Sequence, residues 1–298
     1  MISIRRLGRH LGAEIAGLDL ARPLGERTFA ELRDAFFEHQ VVVFRDQALT
    51  PAQQIAFTAR FGVLEHHVRK EHRLPGHPEI LVVSNVLDEG GRAIGVQDAG
   101  RFWHSDLSYK AEPSLLSALY ALEVPVRDGV VLGGTSFTSA AAAYEALDEA
   151  TRQRLLGLTN VHSYRYYREK NRAAQRAEQA AGARTVQEHV LSEEQLRSVP
   201  DVEVPVVRTH PVTGRKGLFV NEAHTSRIAG LPQAEGAALL AELCAHLVRP
   251  EFRYEHRWRA GDLLMWDNAA AQHKANFDYD LPLRRLMHRT TVHGGAPF

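Results

Sequence analysis

The sequence predicts an α+β fold with a mainly β core and helices packed around it. Three observations carry this reading. Short apolar runs bounded by turn residues recur near the start and dominate the last third. Only a few segments space their apolar residues by three and four, as an amphipathic helix requires. No repeat of fixed period and no strong linker divides the 298 residues, so one domain over 1–298 is expected rather than the two that length alone would allow.

From the N-terminus, Ile2 to Leu24 alternates briefly and is broken by Gly8, Gly12 and Gly17, which reads as strands and turns. Thr28 to Gln40 places Phe29, Leu32, Ala35 and Phe36 on one helical face, and Val41 to Phe44 follows as a buried strand. Thr50-Pro51 opens a second helix, with Thr50 as cap and Pro51 at the first helical position, and Gly62 closes it. His66 to Arg101 is expected to be mostly loop, with a strand at Ile80–Val83 and a turn at Asp88–Gly91. After a strand near Ser117–Leu122, Ser139 to Leu158 reads as one Ala-rich helix with Tyr144, Leu147 and Leu155 on its apolar side. Tyr164 to Val199 lacks sustained core periodicity, so a helical or partly disordered insertion is expected there, with an active-site lid as one use. Strands are then predicted at Glu203–Thr209, Gly217–Val220, Phe252–Trp258, Leu263–Trp266 and Leu286–Val292, with a helix at Pro232–Leu247.

Composition removes several function classes. Lys+Arg and Asp+Glu are 36 each, so there is no whole-molecule field to attract nucleic acid or an anionic membrane. A hydrophobic share of 44% with 24% charged residues is that of a core-forming chain rather than a disordered one. The single cysteine, Cys244, excludes an internal disulfide framework and a thiolate-rich metal site. Charged residues interrupt the N-terminal apolar runs and no stretch reaches the length of a membrane span, so a cytoplasmic protein is expected. The 16 histidines make metal ligation worth testing residue by residue. His66, His67 and His72 cluster without a carboxylate partner, and His162, His189, His246 and His256 read as surface or hydrogen-bonded groups.

Trp103-His104-Ser105-Asp106 looks extended, and a strand's period of two would point His104 and Asp106 to one face and Ser105 to the other. An imidazole and a carboxylate on one face are two thirds of a 2-His-1-carboxylate iron site. Alone, His-x-Asp is more often an ordinary hydrogen-bonded pair. The third ligand candidate is His273, which follows Asp106 by 273 − 106 = 167 residues, so the fold itself must join them. Shortly after it, Arg285 and Arg289 fall at even spacing, and one strand would aim both guanidinia inward. Arginine holds a carboxylate or sulfonate in two parallel hydrogen bonds and keeps its charge when desolvated. One cation can then hold a cosubstrate and the other a substrate. The competing reading is a pair of solvated or structural arginines. No dinucleotide fingerprint, P-loop, nucleophile elbow or H-E-x-x-H is present.

The run Trp103-His104-Ser105-Asp106-Leu107-Ser108-Tyr109, with Gly133-Gly134-Thr135, Asn221-Glu222, Met265-Trp266-Asp267-Asn268, Gln272-His273 and Arg285-Leu286-Met287-His288-Arg289, resembles the Fe(II)/2-oxoglutarate-dependent taurine and 2,4-dichlorophenoxyacetate dioxygenase (TauD/TfdA) family. The resemblance spans nearly the whole chain. It implies a distorted double-stranded β-helix, the jelly roll of clavaminate synthase-like enzymes, as one elaborated barrel. It further implies Fe(II) held by His104, Asp106 and His273, with 2-oxoglutarate and O2 as cosubstrates. The far carboxylate of 2-oxoglutarate would meet Arg285 and Thr135; Ser136 competes for the second place, and Thr135 is preferred because Phe137 then keeps its usual offset. Arg289 matches the position that holds the substrate's acidic group, with His67 assisting and Leu107 beside it. Where taurine-cleaving relatives clasp the amine this chain offers Lys70 and Gly100, and His224 replaces a phenylalanine, so the pocket is no close taurine copy.

The expected activity is hydroxylation of a small sulfonate or carboxylate, such as taurine, an alkylsulfonate or an aryloxyalkanoate. Succinate and CO2 are coproducts, and C–S or C–O cleavage can follow. Alternatives are a biosynthetic oxygenase of the same fold, performing desaturation or another oxidation, and a non-catalytic protein that binds metal or an oxo acid. Self-association as dimer or tetramer accompanies the family resemblance.

Overall fold

In the computed structural model, residues 2–67, 69–180, 197 and 199–298 are described. Two antiparallel-rich sheets face each other. The larger has eight strands in the order Ser3–Arg6, Ala13–Ala16, Val41–Phe44, Leu263–Asp267, Ser114–Glu123, Leu286–His293, His77–Ser84 and Arg73–Leu74. The smaller joins Arg253–His256, Thr135–Ser139 and Ala271–Ala275. Among the described residues they do not close into one hydrogen-bonded barrel. The single-barrel expectation is thereby corrected to a two-sheet jelly roll, and beside the site the isolated bridge His104↔His273 ties the His104 loop to the strand Ala271–Ala275 of the small sheet.

The large sheet is covered on both faces, so its central strands are continuous apolar runs that sort by period two. Val41, Val43, Leu264, Trp266, Leu119 and Met287 point inward to meet Phe137 and Ala271 of the small sheet. Val42, Phe44, Leu263, Met265, Leu116 and Ala118 point outward. There the helix Glu26–His39 covers them with Leu32, Ala35 and Phe36, and the helix Pro51–Thr58 adds Phe57. The second helix starts where Thr50 and Gln53 form a reciprocal capping box ahead of Pro51.

Two expectations change, at Ser139–Leu158 and at Glu203–Thr209. The segment Ser139–Leu158 is not one helix: Ser139 ends a strand and caps Ala140–Glu145, and a second helix, Glu149–Leu155, begins at Asp148. The Asp148 carboxylate accepts from the Thr151 amide at 2.8 Å, which restarts the helix while leaving Tyr144 and Leu155 buried as one helix would. Glu203–Thr209 divides into Val202–Pro205 and Val207–Thr209, which pair in different sheets, because Pro205 has no amide to continue a ladder. In the supposed insertion, Tyr164–Ala180 is a helix that buries Tyr164, Arg168, Asn171 and Gln175 at helical spacing. The remainder of Tyr164–Val199, at 181–196 and 198, lies outside the described residues.

Candidate active site

A loop carrying His104 and Asp106 docks on the small sheet and brings the distant ligand candidates together. His273 lies on the strand Ala271–Ala275, and its amide donates to the His104 carbonyl at 2.8 Å while the His104 amide donates back at 3.1 Å. That single bridge sets the two imidazoles side by side, centroids 4.1 Å apart and tilted by 44°. The expected strand around His104 is therefore only one bridge long, and a turn begins at Asp106 with Leu107 at φ 56°. The alternation nonetheless holds locally: the Ser105 hydroxyl turns away to the Asn268 carbonyl, at 2.6 Å. Asp106 Oδ1 sits 3.6 Å from His104 Nε2 and 4.0 Å from His273 Nε2, and one ligand atom from each of the three residues lies within 4.8 Å of the others.

Neighbouring groups fix each donor. His104 Nδ1 lies 2.9 Å from the Phe102 carbonyl, an acceptor, so Nδ1 carries the proton and the Nε2 lone pair faces the site. Asp106 Oδ2 accepts from the Ser117 hydroxyl at 2.6 Å, and its amide donates to Asn268 Oδ1 at 3.1 Å. Asn268 also takes the Trp266 indole N–H and donates to Ser114 and Ser117, so one side chain braces the whole carboxylate loop. Arg289 Nη1 donates to Asp106 Oδ1 at 3.0 Å. Burial alone would raise the Asp106 pKa, but the Arg289 charge, with the neighbouring imidazoles, outweighs it and holds the carboxyl well below the usual range. Burial, the largest cause, holds the His273 pKa well below the ordinary imidazole value. Two imidazoles and one carboxylate, with one ligand atom from each converging, fit the donor set of a divalent iron centre.

Deeper in, a cavity touches Thr135, His273, Arg285, Arg289 and Trp266. Thr135 is buried and its oxygen accepts the Trp258 indole N–H at 3.0 Å, whereas Ser136 turns to Asn276 at 3.4 Å. The hydroxyl lining this cavity is thus that of Thr135. Arg285 stands just before the strand Leu286–His293, and a register shift between Leu286 and Met287 separates it from Arg289. Both guanidinia still reach the same interior. Burial lowers the Arg285 pKa, and a hydrogen bond with Tyr279 opposes this. Gly133 has φ +67°, and a Cβ there would stand 2.9 Å from Tyr279 and 3.2 Å from Arg285, so glycine is what lets these side chains close over the turn.

The outer cleft, about 620 Å³ of empty space including its open mouth, is lined by His67, Gly100, Leu107, His224 and Arg289 among others. Lys70 is not among them. It begins a 3-10 turn, Lys70–His72, and is exposed, while the preceding Arg69 folds inward with its amide on His67 Nδ1 at 3.2 Å. Of these two adjacent basic residues it is Arg69 that joins Arg289 and Arg101 in the cleft wall, 3.9 Å from Asp98. Burial, then Arg289 and Arg69, holds His67 neutral. His224 is likewise neutral through burial and the nearby His104, with Nδ1 3.0 Å from the Ser108 hydroxyl. Sequence reasoning missed Arg69, Asp98, Tyr109, Tyr164 and Tyr167 in this wall. The signal available was the spacing of three between Tyr164 and Tyr167, one helical face of a segment read as an insertion.

A jelly roll with two histidines and a carboxylate converging between its sheets has the architecture and donor set of a mononuclear non-haem iron oxygenase. The chain belongs to the taurine catabolism dioxygenase TauD, TfdA family, whose model matches residues 3–291. It is 36% identical to an α-ketoglutarate-dependent 2,4-dichlorophenoxyacetate dioxygenase of Cupriavidus pinatubonensis over 94% of this chain and 93% of that protein. It is 32% identical to a pentalenolactone F synthase of Streptomyces avermitilis, over 96% and 92%. A taurine dioxygenase structure from Burkholderia xenovorans superposes with a TM-score of 0.79 at 32% identity, covering 99% of this chain and 90% of that one. A structure of AAD-2 with Mn(II) and N-oxalylglycine gives 0.78 at 33% identity, covering 100% and 99%. Dependence on 2-oxoglutarate, the α-ketoglutarate of these names, is the chemistry of the family. No helix among the described residues is long and apolar enough to cross a membrane.

Proposed function

We propose that the chain is an Fe(II)- and 2-oxoglutarate-dependent dioxygenase that hydroxylates a small organic carboxylate or sulfonate, releasing succinate and CO2. The observation that carries this is the pair of buried guanidinia, Arg285 and Arg289, opening on one interior with the His104, Asp106 and His273 donors. In this reading those three residues hold the iron, and Thr135 with Arg285 holds the far carboxylate of 2-oxoglutarate. Iron with bound 2-oxoglutarate supplies the oxidising power drawn from O2. The protein's own groups bind and orient. Arg289 pairs with Asp106 at 3.0 Å, and once that carboxylate is committed to a metal the guanidinium is free for a substrate anion. His67, a neutral imidazole whose Nδ1 accepts an amide, offers Nε2–H to the same anion. Leu107, His224 and Arg69 bound the remaining space. When the hydroxylated carbon bears an ether oxygen or a sulfonate, the product collapses with C–O or C–S cleavage.

The test is succinate formation under air with Fe(II), 2-oxoglutarate and a panel of aryloxyalkanoates, alkylsulfonates and taurine. At least one acid is expected to stimulate turnover several-fold, and Arg289→Ala to raise its KM on the order of a hundredfold, as for loss of a desolvated charge pair. If no acid stimulates turnover, the anionic-substrate reading is wrong. A biosynthetic oxidation is the second reading, supported by the similarity to pentalenolactone F synthase. Product analysis separates the two.

A further inference from the structure

Thr135 lies on the small sheet and Arg285 just before a strand of the large one, yet both lie against one side chain. Trp258 is fully buried, with 0% exposure. Its Nε1–H donates to Thr135 Oγ1 at 3.0 Å, and the Arg285 guanidinium carbon lies 5.9 Å from its ring centroid. His256 packs edge-on against the ring, centroids 4.6 Å apart at 85°. His256 in turn bonds Asp262 at 3.2 Å, and Asp262 pairs with Arg45. The indole is therefore set from behind by a buried polar chain that has no contact with the cavity.

The proton count at Thr135 gives this arrangement a consequence. A threonine hydroxyl has one proton and two lone pairs. An indole N–H can only donate, so the bond from Trp258 must occupy a lone pair, and the Thr135 proton is directed elsewhere. The cavity bounded by Thr135 and Arg285 is the open direction. Resting on the reading that these two residues hold 2-oxoglutarate, we propose that Trp258 is the positioning residue of that subsite. It turns Thr135 into a dedicated donor and gives the Arg285 guanidinium an aromatic surface, so that both aim at one carboxylate before it arrives. Pre-set donors bind an anion without the ordering cost of finding it.

The test is an equilibrium titration of 2-oxoglutarate into the Mn(II)-loaded full chain, comparing wild type, Trp258→Phe, Thr135→Val and the double variant. Phenylalanine keeps an aromatic ring and removes the donor together with the second ring, so the double-variant comparison with Thr135→Val is what isolates the hydrogen bond. Trp258→Phe is expected to raise the Kd for 2-oxoglutarate roughly five- to tenfold, as for one lost hydrogen bond. The Kd for Mn(II) stays unchanged, and kcat at saturating 2-oxoglutarate stays within about twofold. In the Thr135→Val background the same substitution should add nothing, whereas Thr135→Ser should restore its effect. Wild-type affinity in Trp258→Phe, or effects that simply add in the double variant, would overturn the proposal. Wild-type affinity in both Thr135→Val and Arg285→Gln would overturn the subsite reading beneath it. Should Trp258→Phe not fold, the indole N–H resonance of Trp258 in otherwise native protein decides. It must shift in Thr135→Val and on addition of 2-oxoglutarate, and an unmoved resonance in both overturns the proposal.

Discussion

Ser117 contributes a single hydroxyl, yet that hydroxyl decides which oxygen of Asp106 is free. With Oδ2 held at 2.6 Å by Ser117, Oδ1 alone faces the two imidazoles. Removing such an outer partner commonly costs ten- to a hundredfold in metal affinity. Ser117→Ala is thus expected to weaken Co(II) or Mn(II) binding by about that factor with the fold retained, measured by direct titration; unchanged affinity would deny the hydroxyl this role. His162 is a second residue whose environment sets its chemistry. It is fully buried with Nδ1 2.9 Å from the Ser108 carbonyl, and burial lowers its pKa from 6.5 to about 4. The unfolded chain takes up a proton near pH 6.5, the folded one only near 4. The stability that neutral His162 confers is complete above 6.5 and is lost as pH falls toward 4, on the order of 3 kcal/mol. Denaturation across that range should show a steeper loss for wild type than for His162→Gln. Residue type and order made His104, Asp106 and His273 legible in the sequence. Lys70 was not correctly read, because which of two adjacent basic residues faces the cleft depends on a turn that spacing does not encode.

At the scale of elements, the helix Tyr164–Ala180 is held over the cleft by polar groups. Asp98 accepts from Asn171 at 2.8 Å and Gln175 at 3.4 Å, and lies beside Arg69. Lys170 bonds Glu222 at 3.2 Å and lies over the Phe102 ring. Hydrophobic counting cannot find a helix whose buried stripe is Tyr, Arg, Asn and Gln, which is why the sequence left helix and partial disorder as alternatives here. Asp98→Ala is expected to speed amide exchange across Tyr164–Ala180 and to raise substrate KM; unchanged exchange would show the helix is held by other contacts. The break at Asp148 was hidden for the opposite reason, since the apolar residues on either side kept a helical spacing. Ser139 joins strand to helix through its accepted bond from Ala142 and its donated bond to Gln40. Ser139→Ala should cost about 1–2 kcal/mol in denaturant unfolding while leaving metal affinity intact.

For the whole molecule, neutrality is an average over a surface of mixed sign and an interior that is locally cationic. Arg285 and Arg289 are 5% and 9% exposed, and no sum over 36 positive and 36 negative residues could reveal them. A mainly β core was legible from short apolar runs, but its division into two facing sheets was not, because pairing between distant strands is not encoded in local spacing; beside those sheets a single backbone bridge joins the His104 loop to His273. That bridge is what brings His104 to His273 and makes the donor set exist at all. The claim that these residues hold iron and receive 2-oxoglutarate is tested most directly by anaerobic visible absorption as Fe(II), then 2-oxoglutarate, is added. A charge-transfer band is expected in wild type, lost in His104→Ala and His273→Ala and displaced to higher 2-oxoglutarate concentrations in Arg285→Gln. No band in wild type, or an undiminished band in both histidine variants, would contradict the account.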